Sequence, residues 1–297
     1  MSQSFEHAKS RLDNIRTIEP LLSALRTMSM GSWQMANRKI ANLIKYEEDL
    51  DQILIEILPK FAPKPAKIPG TDESELRGND TIYLIIGSER GLCGKFNTSL
   101  AEKSLEAIED DPADSYQIWV MGSRLRLEFE RKGIPIGWRK ELPASGLITY
   151  HETYTLTQTW IEEFESYSFN RLVVFFNQLI QGSQNQITQR TLLPYEFDRH
   201  PAPSQAGESR WPPTIIETDP KGIYYQTIQH FIAASLYKPL LMSAAAEHSA
   251  RYHLLQEASE NAEEIIEELI RIINVERKRK ITQQMQELAV SSGLLEI

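Results

Sequence analysis

The chain has 297 residues, of which 41% are hydrophobic, so it can build a core and is too apolar for a disordered protein. Its formal net charge of −9 argues against nucleic acid as its main partner, and one cysteine, Cys93, excludes an internal disulfide and any cysteine-rich metal site. No apolar run approaches the ~20 residues that cross a bilayer, and the polar start MSQSFEHAKSRLDNIR has no signal-peptide core. The expectation is a soluble protein made inside the cell, free to work at a membrane surface.

From Phe5 to Leu58 the only glycine is Gly31 and the only proline is Pro20. Apolar residues recur at steps of three and four: Leu12, Ile15, Ile18, Leu22, Leu25, Met28, Met35, Ile40, Leu43, Leu50, Ile53 and Ile57. That spacing predicts one apolar stripe on a single long helix, roughly 80 Å at 1.5 Å per residue, with Pro20 bending or interrupting it. FAPKPAKIPG (61–70) then reads as a linker.

Short runs rich in β-branched and aromatic residues follow: Thr81–Gly87, Gln117–Gly122 and Arg171–Leu179. Helical stretches at Thr98–Ile108, Arg124–Arg131 and Thr157–Tyr167 alternate with them, which predicts an α/β unit with a largely parallel sheet. A further strand near Asn185–Leu193 is close enough to the third run to form a hairpin, before the proline-rich loop HPAPSQAGESRWPP (200–213).

The helical period returns from Ile223 to about Leu288, through Leu236, Leu240, Ala244, Leu254, Ala258, Ile265, Leu269, Ile272, Ile281, Met285 and Leu288, with Pro239 inside it. Pairing the two terminal helices antiparallel is the simplest way to bury both stripes, and sets Leu254, Leu269 and Ile272 against the stripe that holds Leu25, Met35 and Leu43. The expected fold class is α/β: a long antiparallel coiled coil (residues 1–62 and 218–297) around a central Rossmann-like domain (63–217).

The chemical motifs are sparse. GSERGLCGKFN (87–97) sits where phosphate loops sit, yet Glu89 replaces the first glycine of a Walker A loop and Phe96 its serine or threonine, and the GxGxxG glycines are absent. Ser88, Arg90, Gly91, Cys93 and Gly94 are better read as a tight structural turn. His248 and His253 are five apart, off the spacing of a helical zinc pair, and His151-Glu152 lacks the second histidine of HExxH. No GxSxG elbow occurs, and Cys93 reads as a buried structural thiol. No catalytic residue, cofactor or metal is expected. ERKRK (276–280) puts four consecutive cations on a helix that continues through ITQQMQEL. Either they form a solvated face or they meet an acidic or carbonyl-lined partner.

These residues resemble the gamma subunit of F-type ATP synthases. GSERGLCGKFN is similar to that family's S-D-R-G-L-C-G-G-F-N signature, with Glu89 and Lys95 departing. SAAAEHSAR (243–251), ASENA (258–262) and NVERKRKITQQ (274–284) resemble its C-terminal pattern S-x-A-S-E-x-A-A-R…N-x-A-R-Q-A-x-I-T-Q-E, and LLSALRTMSMGS (21–32) is a weaker match to its N-terminal one. The resemblance implies a rotor: the coiled coil inside the alpha/beta catalytic hexamer, the α/β domain beside the epsilon subunit and on the membrane c-ring, and ATP chemistry on the beta subunits. It implies no small-molecule substrate of its own and a place on the cytoplasmic face of an energy-coupling membrane. The head contacts it implies are Arg277, Lys278, Arg279, Lys280, Gln283, Leu25 and Met28. Pro20, Trp33, the extra cations and the acidic balance point to a divergent branch, such as the alternative sodium-type ATPases. The other reading is a coiled-coil adaptor unconnected with ATP synthase, held at one end of its rod.

Overall fold

The computed structural model describes residues 3–57, 80–111, 113, 115–180, 184–194, 217 and 219–291, with nothing said of side chains at 3, 4, 55–57 and 184. The elements in chain order are α1 (Gln3–Ile57), β1 (Asp80–Ile86), α2 (Phe96–Glu109), β2 (Ser115–Met121), α3 (Ser123–Arg131), β3 (Trp138–Lys140), α4 (Tyr150–Glu165), β4 (Arg171–Ile180), β5 (Gln184–Leu193) and α5 (Pro220–Ser291). The chain groups into two compact units, residues 1–30 with 251–297, and residues 31–250. The expected linker at 61–70, the loop at 200–213 and the boundary at 62–63 lie outside the described residues.

In the larger unit the sheet order is β3-β2-β1-β4-β5, parallel except for β5, which forms the expected hairpin with β4. Because side chains alternate along a strand, the central strands of this sheet feed two cores. Ile82, Leu84 and Ile86 of β1 join Val174 and Phe176 of β4 in a core closed by Trp160 of α4, Ala36 and Leu43 of α1, and Leu236, Leu240 and Ala244 of α5. Tyr83 and Ile85 face the other way, with Val173 and Phe175, onto Leu100, Ala101 and Ile108 of α2 and Leu125 and Phe129 of α3. Helices on both faces explain why the strands read as unbroken apolar runs. Each fully buried large side chain contributes about 1.5–3 kcal/mol.

Two elements differ from expectation. The three-residue β3 is too short to leave a periodic signal, and pairs with β2 through Trp119 and Trp138. α4 begins at Tyr150 rather than Thr157, because Thr149 and Glu152 form a capping box. Glu152 Oε2 accepts from Thr149 N at 3.1 Å and Thr149 Oγ1 accepts from Glu152 N at 3.2 Å.

The coil seam also differs in its membership. Along α1 one series of buried and half-buried positions runs Ala8, Leu12, Ile15, Glu19, Leu22, Arg26, Ser29, then Trp33, Ala36, Ile40, Leu43, Glu47, Leu50 and Leu54, alternating steps of four and three, with half-buried residues such as Leu25 and Tyr46 flanking it. That series keeps a heptad spacing, and its 3.5-residue period marks a left-handed coiled coil. In the smaller unit Ala8 and Leu12 pack with Leu269 and Ile273, while Arg26 Nη1 donates to Gln256 Oε1 at 2.8 Å. In the larger unit Lys238 and Glu47 form an ion pair at 2.5 Å, and Leu50 and Leu54 pack on Phe231. Rising numbers on α1 meet falling ones on α5, so the helices are antiparallel. Met35, Leu254 and Ile272, expected in the seam, are instead 53%, 37% and 39% exposed. Their neighbours Ala36, Leu255 and Ile273 are buried. Large apolar residues flank the seam, and a 3.5-residue period, not side-chain size, decides which position faces inward.

Pro20 does not interrupt α1, nor Pro239 α5. Pro20 is exposed, so the carbonyl its ring deprives of a partner can turn to water. The cost of about 3 kcal/mol is borne by the packing of the seam.

Candidate functional site

The turn after β1 is built from the strand outward. Gly87 N donates to Met121 O at 2.9 Å, and a Cβ on Gly87 would stand 2.3 Å from Leu125 Cβ, so only glycine lets β1 pass under α3. Ser88 N donates to Asn97 Oδ1 at 3.0 Å, Asn97 Nδ2 donates to Ser88 Oγ at 2.8 Å, and Ser88 Oγ donates to Arg90 O at 2.9 Å. The first residue of the loop is thereby tied to the first turn of α2. Cys93 is buried with Phe96 of α2, Leu179 and Ala246 of α5, its Sγ 3.7 Å from Ser88 Oγ. Leu92, at φ 62° and 54% exposed, holds an apolar side chain in water in a backbone region that costs a non-glycine residue about 1–2 kcal/mol. Gly94 has φ 60°, whereas Gly91 lies beneath the Arg124 side chain, its would-be Cβ 3.8 Å from Nε.

Glu89, where the chain departs from the signature, is the anchor that sequence reasoning missed. Its carboxylate accepts from Ser123 N at 3.1 Å, from Ser123 Oγ, and from Leu142 N at 2.9 Å. It satisfies an orphan donor at the start of α3, which lacks a cap of its own, and pins the strand-to-helix loop after β3. Burial works against its charge. The Ser123 hydroxyl, the Leu142 and Ser123 amides and the Arg126 guanidinium outweigh burial and hold its carboxyl below the usual range. A carboxylate in the loop three residues past the end of β1 gave no periodic signal, and its partners lie 34 and 53 residues away.

The order of strands reverses between β1 and β4, and in open α/β sheets the crevice there, beyond the carboxyl ends of the strands, takes ligands. In this chain α5 fills it. Ser243 Oγ donates to Ile86 O at 3.0 Å, and Ala246 and Ala250 lie against Cys93, Phe96 and Leu179. The run SAAAEHSA (243–250) is what allows so close an approach, since small side chains let a helix backbone sit directly on the strand ends. His248, off the spacing of a helical zinc pair, has Nε2 2.6 Å from Ser145 O and ties α5 to the loop before α4.

The head contacts implied by the resemblance lie in the smaller unit. Beyond Glu276, the last half-buried seam residue, Arg277, Lys278, Arg279, Lys280 and Gln283 are all exposed. On the same length of α5, Ile281, Met285 and Leu288 are 50%, 66% and 67% exposed, one turn apart each. On α1, Met28 is 61% exposed and Leu25 is half-buried. With Ile18 and Leu21, also exposed, they form a second stripe at steps of three and four, displaced from the seam. Sequence reading merged the two stripes into one. Counting strict heptads would have separated them. Among the described residues no group of histidine, cysteine and carboxylate side chains could hold a metal, and no helix is long and apolar enough to cross a membrane.

A doubly covered α/β sheet whose carboxyl-end crevice is packed by the chain's own long helix defines a class of chain in which a sheet domain and a long helix pair are built as one fold. The ATP synthase family matches residues 4–293. The "ATP synthase gamma chain" of Nautilia profundicola is 22% identical over 97% of both chains. A chain of the Euglena gracilis mitochondrial ATP synthase, in an assembly of OSCP, F1 and c-ring, shares the fold with a TM-score of 0.60 at 14% identity, covering 99% of this chain and 95% of that one. A chain of the central stalk and c-ring of the Tetrahymena thermophila mitochondrial enzyme does so with a TM-score of 0.52 at 15% identity, over 80% and 99%. The chain belongs to the gamma-chain family of ATP synthases. Nothing among these relatives supports the adaptor reading.

Proposed function

We propose that the chain is the central-stalk rotor of an ATP synthase or ATPase, coupling rotation of a membrane c-ring to ATP synthesis or hydrolysis in an alpha/beta head. The observation that carries this reading is the antiparallel heptad seam from Ala8 to Leu54 combined with a length of α5 that has outrun its partner helix. A paired coil is stiff enough to carry torque. A tip whose cations and large apolar side chains are exposed is available to bias a partner with several states, which needs differential contacts and no catalytic residue.

In this reading the exposed stripe of Ile18, Leu21, Leu25 and Met28 and the tip residues Arg277, Lys278, Arg279, Lys280 and Gln283 meet the catalytic head. Catalysis lies on the beta subunits, the α/β domain stands beside an epsilon subunit and on the c-ring, and the complex works at the cytoplasmic face of the membrane. Charge-assisted hydrogen bonds from four cations, about 1.5–3 kcal/mol each, are enough to set angular preferences of a rotor. The test is reconstitution with the alpha and beta subunits of the same source. A complex that hydrolyses ATP and turns a bead fixed to the α/β domain supports the reading. Failure of the chain to enter such a complex, or hydrolysis with no rotation, overturns it.

A further inference from the structure

α1 is one unbroken helix from Gln3 to Ile57, yet the features that weaken a helix are gathered in one part of it. Pro20 has no N–H to give to the carbonyl four residues back, and its ring crowds that turn. Three hydroxyls on the same stretch turn back onto the helix. Thr17 Oγ1 donates to Asp13 O at 2.9 Å, Thr27 Oγ1 to Ser23 O at 3.0 Å and Ser29 Oγ to Leu25 O at 2.8 Å. Each competes with the amide that the carbonyl serves, which loosens a helix and bends it. Gly31 closes the stretch. It is exposed, its backbone is helical and a Cβ there would meet nothing within 4 Å, so neither space nor a left-handed φ calls for glycine. What glycine adds at such a place is backbone freedom.

The rest of the helix pair is built differently. From Trp33 to Ile57 α1 contains no glycine, proline, serine or threonine, and from Leu240 to Ser291 α5 contains no glycine or proline. The packing follows the same division. Between Ile15 and Ser29 the seam carries Glu19, Arg26 and Ser29 beside Leu22, with Arg26 turned onto Gln256 and Ser259 of α5 buried. From Ala36 to Leu54 it carries Ile40, Leu43 and Leu50, and Glu47 is the polar member of that run. Apolar burial holds a helix against local opening, and it is thinnest where the backbone is weakest.

We propose that residues 13–31 of α1 are a built-in soft segment, where α1 bends and opens locally while α5 beside it stays unbroken. Its anchors before and after along the chain are apolar: Ala8 and Leu12 pack on Leu269 and Ile273, and Ala36 and Leu43 belong to the sheet core. The same stretch carries Ile18, Leu21, Leu25 and Met28, so in the rotor reading the face offered to the head can follow a head that changes shape. That consequence rests on the rotor reading. The softness does not, and exchange in the chain alone tests it whether or not the chain enters a complex.

The experiment is hydrogen exchange by mass spectrometry on the full-length chain at neutral pH, corrected for intrinsic rates, with Gly31→Ala, Pro20→Ala and Asn42→Ala beside the native chain. All three positions are exposed and alanine favours the helix at each, so the variants fold. In the native chain 17–31 should exchange at least about tenfold faster than 36–50, as a locally opening segment does beside one that opens only with the rest of the fold. Gly31→Ala should slow 17–31 by about fivefold and Pro20→Ala by more. Asn42→Ala lies outside the segment and should leave 17–31 unchanged, because local opening does not reach it. Equal protection in 17–31 and 36–50 overturns the proposal, as does a 17–31 that neither Gly31→Ala nor Pro20→Ala slows. A slowing of 17–31 by Asn42→Ala that matches Gly31→Ala also overturns it, since α1 would then open only as a whole.

Discussion

Gly122 shows how little freedom the backbone has at the carboxyl edge of the sheet. Its φ is 101°, and a Cβ would stand 2.7 Å from Ser88 O. Gly122→Ala is expected to destabilise the chain by about 3 kcal/mol or more, since strain and a backbone clash add, and a thermal melt reads the loss directly. Glu89 acts through charge. Its carboxyl is held below the usual range, so its contribution is fully present above the unfolded value of about 4.3 and lost as pH falls through the lower folded-state value. Glu89→Gln should therefore flatten the acid limb of a stability-against-pH curve below about pH 4.5, while its amide oxygen, in the place of Oε2, still accepts from the Ser123 and Leu142 amides near neutrality. An unchanged acid limb would show that the carboxylate is a bystander. Cys93 lies buried against Phe96 and Ala246, where its thiol fills space, and Cys93→Ala should assemble and support ATP turnover at the native rate. Loss of turnover with assembly intact would mark a working thiol.

At the scale of the element, the two long helices turn on which heptad position faces inward. Met35 and Ala36 are neighbours, and the smaller one is in the seam with 0% exposure. Ala36→Arg should cost about 3 kcal/mol or more, by overpacking and by burying a charge without a partner. Met35→Arg should stay within about 0.5 kcal/mol, as an exposed substitution does. Equal losses in paired denaturant titrations would mean that the seam has been placed one residue out. That seam carries polar groups with partners of their own, Arg26 with Gln256 and Glu47 with Lys238. In a coiled coil such pairs specify register at some cost in stability.

For the whole molecule the tip is decisive. Arg277, Lys278, Arg279 and Lys280 are exposed and their removal should leave the melting of the isolated chain unchanged, within about 0.5 kcal/mol. Replacing all four with alanine in an assembled complex should lower torque and ATP turnover, because the contacts they make exist only there. Unchanged torque and turnover would leave them as a solvated face, each exposed pair contributing under about 1 kcal/mol.

The sequence by itself determined the helix–domain–helix order, the alternation of strand and helix, the antiparallel sense of the long pair and the family. Each is written in local periodicity, or in a motif such as GSERGLCGKFN, and needs no knowledge of what lies opposite. It left open which of Met35 or Ala36, Leu254 or Leu255, Ile272 or Ile273 lies inside, because both members of each pair are apolar enough to do so and only the partner helix chooses. The tertiary structure also decided the roles of Glu89 and of Ser243. Their partners are 34 to 157 residues away along the chain, and hydrogen bonds over such separations leave no period to read. Pro20 and Pro239 belong with them. Proline's local cost is legible in any sequence, but whether it breaks a helix depends on packing energy supplied by another part of the chain.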